Sequence, residues 1–259
     1  MADRTFASLV PRVQASAPGC PHATIVQYIR DSAIRTCERT LYWRYQAPLF
    51  NLLPGVSEYA YSKPVDTDVH AVFEAVVNDR PLERLTMEKA IELYPQWADL
   101  YSGLSPQQVW SGNPGNQFNS NPYNNAQFND GGSAGIVYPD AALEGASTPQ
   151  SITQINPDRY VILPLPDDQA TYQVRMFLAL KPKRTATAMD GFIFDELEEV
   201  IMHGALQHLL VLPNQAWSDR ELAAYHAKQY VFQTSERRAR ANLGNVRGTM
   251  RARMQPFGA

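Results

Sequence analysis

The sequence predicts an α+β fold, and three observations predict it. Apolar positions recur at helical spacing near both ends of the chain. Between them lie aromatic and β-branched stretches that alternate as strands do. A long asparagine-rich segment interrupts those strands without a period of its own.

The elements follow in order. Phe6 to Val13 reads as a short helix with Phe6, Leu9, Val10 and Val13 on one side, broken by Ala17 to Pro21. Pro21 suits the first turn of a second helix. That helix runs to Thr40, with Ile25, Tyr28, Ile29, Ala33 and Cys37 as its inner stripe. Leu41 to Phe50 is aromatic and reads as a strand. Gly55 to Ser62 alternates around Tyr59 and Tyr61. Asp68 to Leu85 reads as two strands turning at Asn78-Asp79. Met87 to Trp97 reads as a short helix.

Ser111 to Gly135 holds seven asparagines and one charge, Asp130. A long stretch of this kind inside a domain reads as a mobile surface loop or as a contact loop. As a contact loop, Phe118, Tyr123 and Phe128 would anchor a partner among adaptable amides. Strands then resume. Ser151 to Ile155 and Arg159 to Leu165 meet across Asn156-Pro157-Asp158. Thr171 to Lys181 sets Tyr172, Val174, Met176 and Leu178 on one face. Phe192 to Leu212 is helical, with Phe194, Leu197, Ile201, Ala205 and Leu209 in one stripe. Ser218 with Glu221 reads as a capping box for a last helix. That helix is expected to face Leu222, Tyr225 and Phe232 inward, and Gly244 and Gly248 are natural stops.

The expected organisation is a helical bundle from 1–40 and 183–238 with an inserted antiparallel β-rich domain, 41–182. The Asn-rich loop takes up 104–148 of that domain. An extended basic tail, 239–259, ends the chain.

Charge separates that end from the rest. The chain carries 23 basic and 26 acidic side chains, a net charge of −3. Ser235 to Met254 holds six arginines (Arg237, Arg238, Arg240, Arg247, Arg251, Arg253) and one acid, Glu236. The remainder has 17 basic and 25 acidic residues, a net charge of −8. A negative body is a poor general DNA binder, because duplex affinity rests on neutralising phosphates. Any nucleic-acid contact falls to the arginines.

Catalytic signatures are missing. His22, His70, His203, His208 and His226 have no metal-ligand spacing. Glu199 and His203 stand one helical turn apart and read as a solvated pair. No nucleophile elbow or phosphate loop occurs, and Gly112 to Asn116 lacks the lysine that a phosphate loop needs. Asp167-Asp168 and Glu198-Glu199 read as acidic doublets on the surface. Cys20 and Cys37 read as buried free thiols. The expectation is a non-enzyme with no cofactor and no metal. Met1 to Pro11 lacks the apolar core of a signal peptide. No apolar run approaches the roughly 20 residues of a membrane span. Synthesis and folding in a reducing cytoplasm are expected, without a membrane partner.

Several stretches, in order, resemble the head-to-tail adaptor (connector) proteins of short-tailed bacteriophages. They are Phe6 to Val13, Pro18 to Pro21, Ile29 to Tyr45, Pro54 to Tyr61, Asn78 to Thr86, Leu178 to Thr187 and Gly204 to His226. The resemblance covers most of the chain outside the loop and the tail. It departs from the family at Leu104 to Thr148, where a shorter connection is usual.

The resemblance implies a structural virion protein of the tail or neck, made in the host bacterial cytoplasm. It implies a homo-oligomeric ring, typically a dodecamer, between the portal protein and the tail nozzle, with tail fibre proteins as further neighbours. The ring would pass genomic DNA without sequence-specific binding. The six arginines would then insert into acidic portal grooves, where arginine's planar fork pairs well with carboxylates. The alternatives are a nucleic-acid-binding protein acting through the same arginines, and a solvated chain end.

Overall fold

The computed structural model describes residues 3–95, 136–137 and 147–243. Helices and largely antiparallel sheets are both present, so the α+β class stands. The chain divides into two compact units, 1–42 with 184–259, and 43–183.

The first unit is helical. A 3-10 turn, Phe6–Leu9, leads into α1 (Val10–Ser16). α2 (His22–Thr40) follows, with Pro21 at its N-cap and Leu41 closing it in the left-handed region at φ 52°. Phe6, Leu9, Val10, Val13, Ile25, Ile29, Ala33 and Cys37 are all buried, as their spacing predicts. α4 (Gly191–Leu209) starts where Asp190 Oδ1 accepts the N–H groups of Phe192 and Ile193, which satisfies two orphan donors. α5 (Arg220–Leu243) is the last helix. α2, α4 and α5 pack on one another, and α1 lies against α2 and α4. A short ribbon ties the chain's beginning to this unit: β1 (Asp3–Thr5) pairs antiparallel with β12 (Ala188–Asp190).

At Gly204 of α4 the backbones come close. A Cβ there would lie 2.8 Å from a Tyr230 ring carbon of α5 and would also strike Ser32 Oγ of α2. Only glycine lets the three helices meet at that level.

The second unit holds two sheets. One has the order β7 (Glu83–Arg84), β9 (Ser151–Asn156), β10 (Arg159–Leu163), β4 (Val56–Ala60), β8 (Ile136–Val137). The other runs β2 (Arg44–Gln46), β11 (Gln173–Pro182), β5 (Thr67–Val77), β6 (Arg80–Pro81), with β3 (Phe50–Asn51) also on β11. The single strand expected over Leu41 to Phe50 is thus two short ones. Pro48 lies between them and has no N–H to donate to a ladder. Asn78 and Asp79 turn the β5–β6 hairpin with φ of 46° and 64°, the conformation a tight hairpin demands. After two residues of β6 the chain crosses to the other sheet, where β7 runs parallel to β9. α3 (Met87–Leu93) then starts at Thr86, whose Oγ1 accepts the Lys89 N–H. Residues 136–137, expected within a strandless loop, form β8 on the edge of β4.

An aromatic cluster fills the first sheet's core. Tyr160 lies 4.6 Å from Tyr61 and 5.8 Å from Tyr59, ring centre to ring centre, with Phe50 alongside. Glu58 is buried and paired with Arg159 at 2.7 Å. Lys63 reaches Asp68, Asp158 and the Pro157 carbonyl, clamping the β9–β10 turn.

Candidate interaction surface

The face that α5 turns inward differs from the expected one. Tyr225 and Phe232 are 53% and 68% exposed. Ala223, His226, Tyr230, Thr234 and Ala241 are the buried residues. The inner stripe is therefore small or polar apart from the ring of Tyr230, while Tyr225, Val231 and Phe232 face outward. The reason is the close approach at Gly204: a helix packed that tightly takes small and flat side chains inside. The helix is capped by Asp219, whose Oδ1 accepts the Leu222 N–H at 2.9 Å. Ser218, the expected cap, donates instead to the Leu212 carbonyl.

The first residues of the basic tail expected from Ala239 are helical. Residues 239–243 form the end of α5, since alanine and arginine are good helix formers. Arg237, Arg238 and Arg240 are thus helical. Arg237 Nη1 donates to Glu196 of α4 at 2.8 Å, and Arg240 Nη2 to Glu236 one turn back at 2.6 Å. Beside them the Tyr42 hydroxyl is pushed up, by burial first and then by Glu196, while Arg237 and Arg240 pull it back. Arg39 stacks over the Tyr230 ring at 5.5 Å. Arg238 points to solvent. Arg247, Arg251 and Arg253 lie outside the described residues, and so do Phe118, Tyr123 and Phe128.

His203 is not the solvated partner of Glu199 that its spacing predicts. It is buried, and its Nδ1 lies 2.7 Å from the Nδ1 of His226 on α5. Burial lowers the affinity of both rings for a proton. Arg12 lowers it further at His203, against the pull of Glu199, and His203 lowers it at His226. His208 faces α2 and accepts from Arg35. The pair escapes sequence reading because its members lie on different helices.

Burial, aided by Glu38, pushes the Cys37 thiol up to about 12, which removes it as a nucleophile. A cleft of about 370 Å³ in the β unit is lined by Gln46, Leu49, Asn78, Asp79, Gln173 and Arg175. Asn78 bonds the Thr171 carbonyl and the Gln173 N–H, and Arg175 faces Asp79 at 3.6 Å. The cleft's polar groups serve the hairpin. Among the described residues, no cluster of three or more His, Cys, Asp or Glu is arranged to hold a metal ion. No described helix is long and apolar enough to cross a membrane.

α5 thus presents an outward surface, with exposed Tyr225, Val231 and Phe232 and an arginine end partly paired within the chain. No protein-family model matches the sequence, and no curated protein is significantly similar to it.

Proposed function

We propose that this chain is a ring-forming adaptor that joins the portal to the tail nozzle of a short-tailed bacteriophage and extends the channel through which DNA leaves. One observation carries the reading. Both ends of the chain build a single helical unit while the middle folds as a separate β unit. That is the helix–sheet–helix order in which the sequence resembles such adaptors. The helical bundle would hold the ring position, and the arginine end of α5 would lead towards the portal. An acidic body suits a channel, because a negative wall repels DNA phosphates.

The nucleic-acid reading is weakened by the pairing of Arg237 and Arg240 with carboxylates of the same chain, which leaves fewer free cations for phosphates. Portal docking through the remaining arginines does not suffer in the same way, because it needs fit to carboxylates rather than a large uncompensated charge.

Co-sedimentation of the purified chain with the portal ring of its own phage tests the proposal. The full chain should travel with the ring, and a chain ending at Leu243, which keeps α5 whole, should not. No co-sedimentation of the full chain overturns the adaptor reading. Equal co-sedimentation of both overturns the role of the arginines beyond α5.

A further inference from the structure

We propose that His203 and His226 form a proton-operated latch that holds the first turns of α5 against α4 at neutral pH and releases them in mild acid. The argument starts from the 2.7 Å separation of the two Nδ1 atoms. A hydrogen bond between two imidazole nitrogens needs one N–H and one bare lone pair. The contact therefore exists only while at least one ring is neutral. With both rings protonated, two N–H groups and two positive charges face each other, with ring centres 5.0 Å apart.

The surroundings do little to hold a second proton. His226 Nε2 is buried and has no hydrogen-bond partner, so an imidazolium there would carry an unpartnered N–H. The charged groups acting on the pair are Glu199 on α4, which favours a proton on His203, and Arg12 on α1, which opposes it. Arg12 is itself held by Glu198. From α5, Tyr225 sets its ring edge-on to both histidines. α2 brings Ser32 and Thr36 to the α4–α5 packing, and neither ionises in this range.

Release is confined to the first turns of α5, because Tyr230 further on is held by its fit on Gly204, by the Thr36 hydroxyl and by the stacked Arg39. Before Tyr230 the buried residues of α5 are Ala223 and His226, which offer little apolar area. Thr234 Oγ1 and Gln233 Oε1 are buried without partners, so they add nothing to the grip. The far end is anchored separately, by Arg237 on Glu196. Proton uptake at the histidines should therefore free the segment around Ala223 to Ala227 while Tyr230 and the arginine end stay attached. The freed segment carries Tyr225.

Amide hydrogen exchange on the full chain, as protection factors from about pH 7.5 to about pH 5, reads the latch directly. Protection across Ala223 to Ala227 should fall by about tenfold per pH unit for each proton taken up on opening. Arg237 to Ala241 should change much less. His203→Gln and His226→Gln should each flatten the pH dependence, and His208→Gln should leave it in place. Uniform loss along α5, no loss, or a dependence that survives both substitutions overturns the latch. If neither variant folds, NMR titration of the rings in the unaltered chain decides. Two coupled steps below the usual histidine value support the latch, and two independent titrations near that value overturn it.

Discussion

The ring of Tyr230 rests on Gly204, with no room for a methyl group between α5 and α4. Gly204→Ala should therefore destabilise the chain although alanine favours helix. The helical gain is about 1 kcal/mol, and overpacking costs roughly 1–3 kcal/mol. Denaturant midpoints of the two chains check this. An unchanged or higher midpoint would mean that the ring slides aside without loss.

Glu58 and Arg159 make the second prediction. Glu58 is nearly inaccessible, whereas Arg159 is about half exposed. Arg159→Ala leaves a buried carboxylate unpaired, a loss of about 3 kcal/mol, at the low end of the usual range because water reaches the arginine. Glu58→Gln with Arg159 intact should cost less. Urea unfolding of the two variants compares them, and equal costs would contradict the pairing argument.

Stability should depend on pH in two windows. His203, His208 and His226 all hold protons more weakly than an ordinary histidine, for which the value is 6.5, and burial is the first cause in each. The unfolded chain takes up those protons first, so stability is complete above about 6.5 and is lost as pH falls below it. Asp158 works further down. The hydrogen bond from Lys63 holds its carboxyl below the usual 3.8, against burial and with help from the charges of Lys63, Lys183 and Arg159. Its contribution is present above that value and lost as pH falls through the lower one. Thermal midpoints should drop first between about pH 7 and 5 and again below about pH 4. A flat profile from pH 7 to 5 would contradict the histidine burial.

Thiol chemistry supplies a fourth expectation. Cys20 and Cys37 are both buried and free, and burial raises both thiols. Near pH 8 a disulfide reagent should react slowly with the folded chain and rapidly with two thiols per chain in denaturant. Rapid reaction of the folded chain would contradict this.

Much of the fold was legible because its causes are local. The stripe Ile25, Ile29, Ala33, Cys37 is written at helical spacing. Asn78-Asp79 turns because those residues accept positive φ, and Asn156 turns because its side chain accepts the N–H groups of Asp158 and Arg159. The failures are nonlocal. No spacing tells that β7 will cross over to run parallel to β9. α5 misled because hydrophobicity marks an inner face only where space is ample. Opposite Gly204 the space is scant, and the flat ring of Tyr230 fills it while Phe232 faces out. The arginines looked like a tail because of their charge, yet arginine extends a helix readily. The histidine pair was out of reach because 23 residues and a change of helix separate its members.

The division of the chain also fixes an order of events during synthesis. α1 and α2 leave the ribosome early, but α4, which packs on both, and α5, which packs on α2, are encoded after residue 190. At about 5–20 residues per second, that is a wait of many seconds. Throughout it the stripe from Ile25 to Cys37 has only the 3-10 turn and α1 as native cover. The β unit, complete by Lys183, is finished before the helical unit has its second half. A nascent chain halted near residue 185 would therefore present a folded β unit preceded by an open, apolar helix, a natural client for a chaperone.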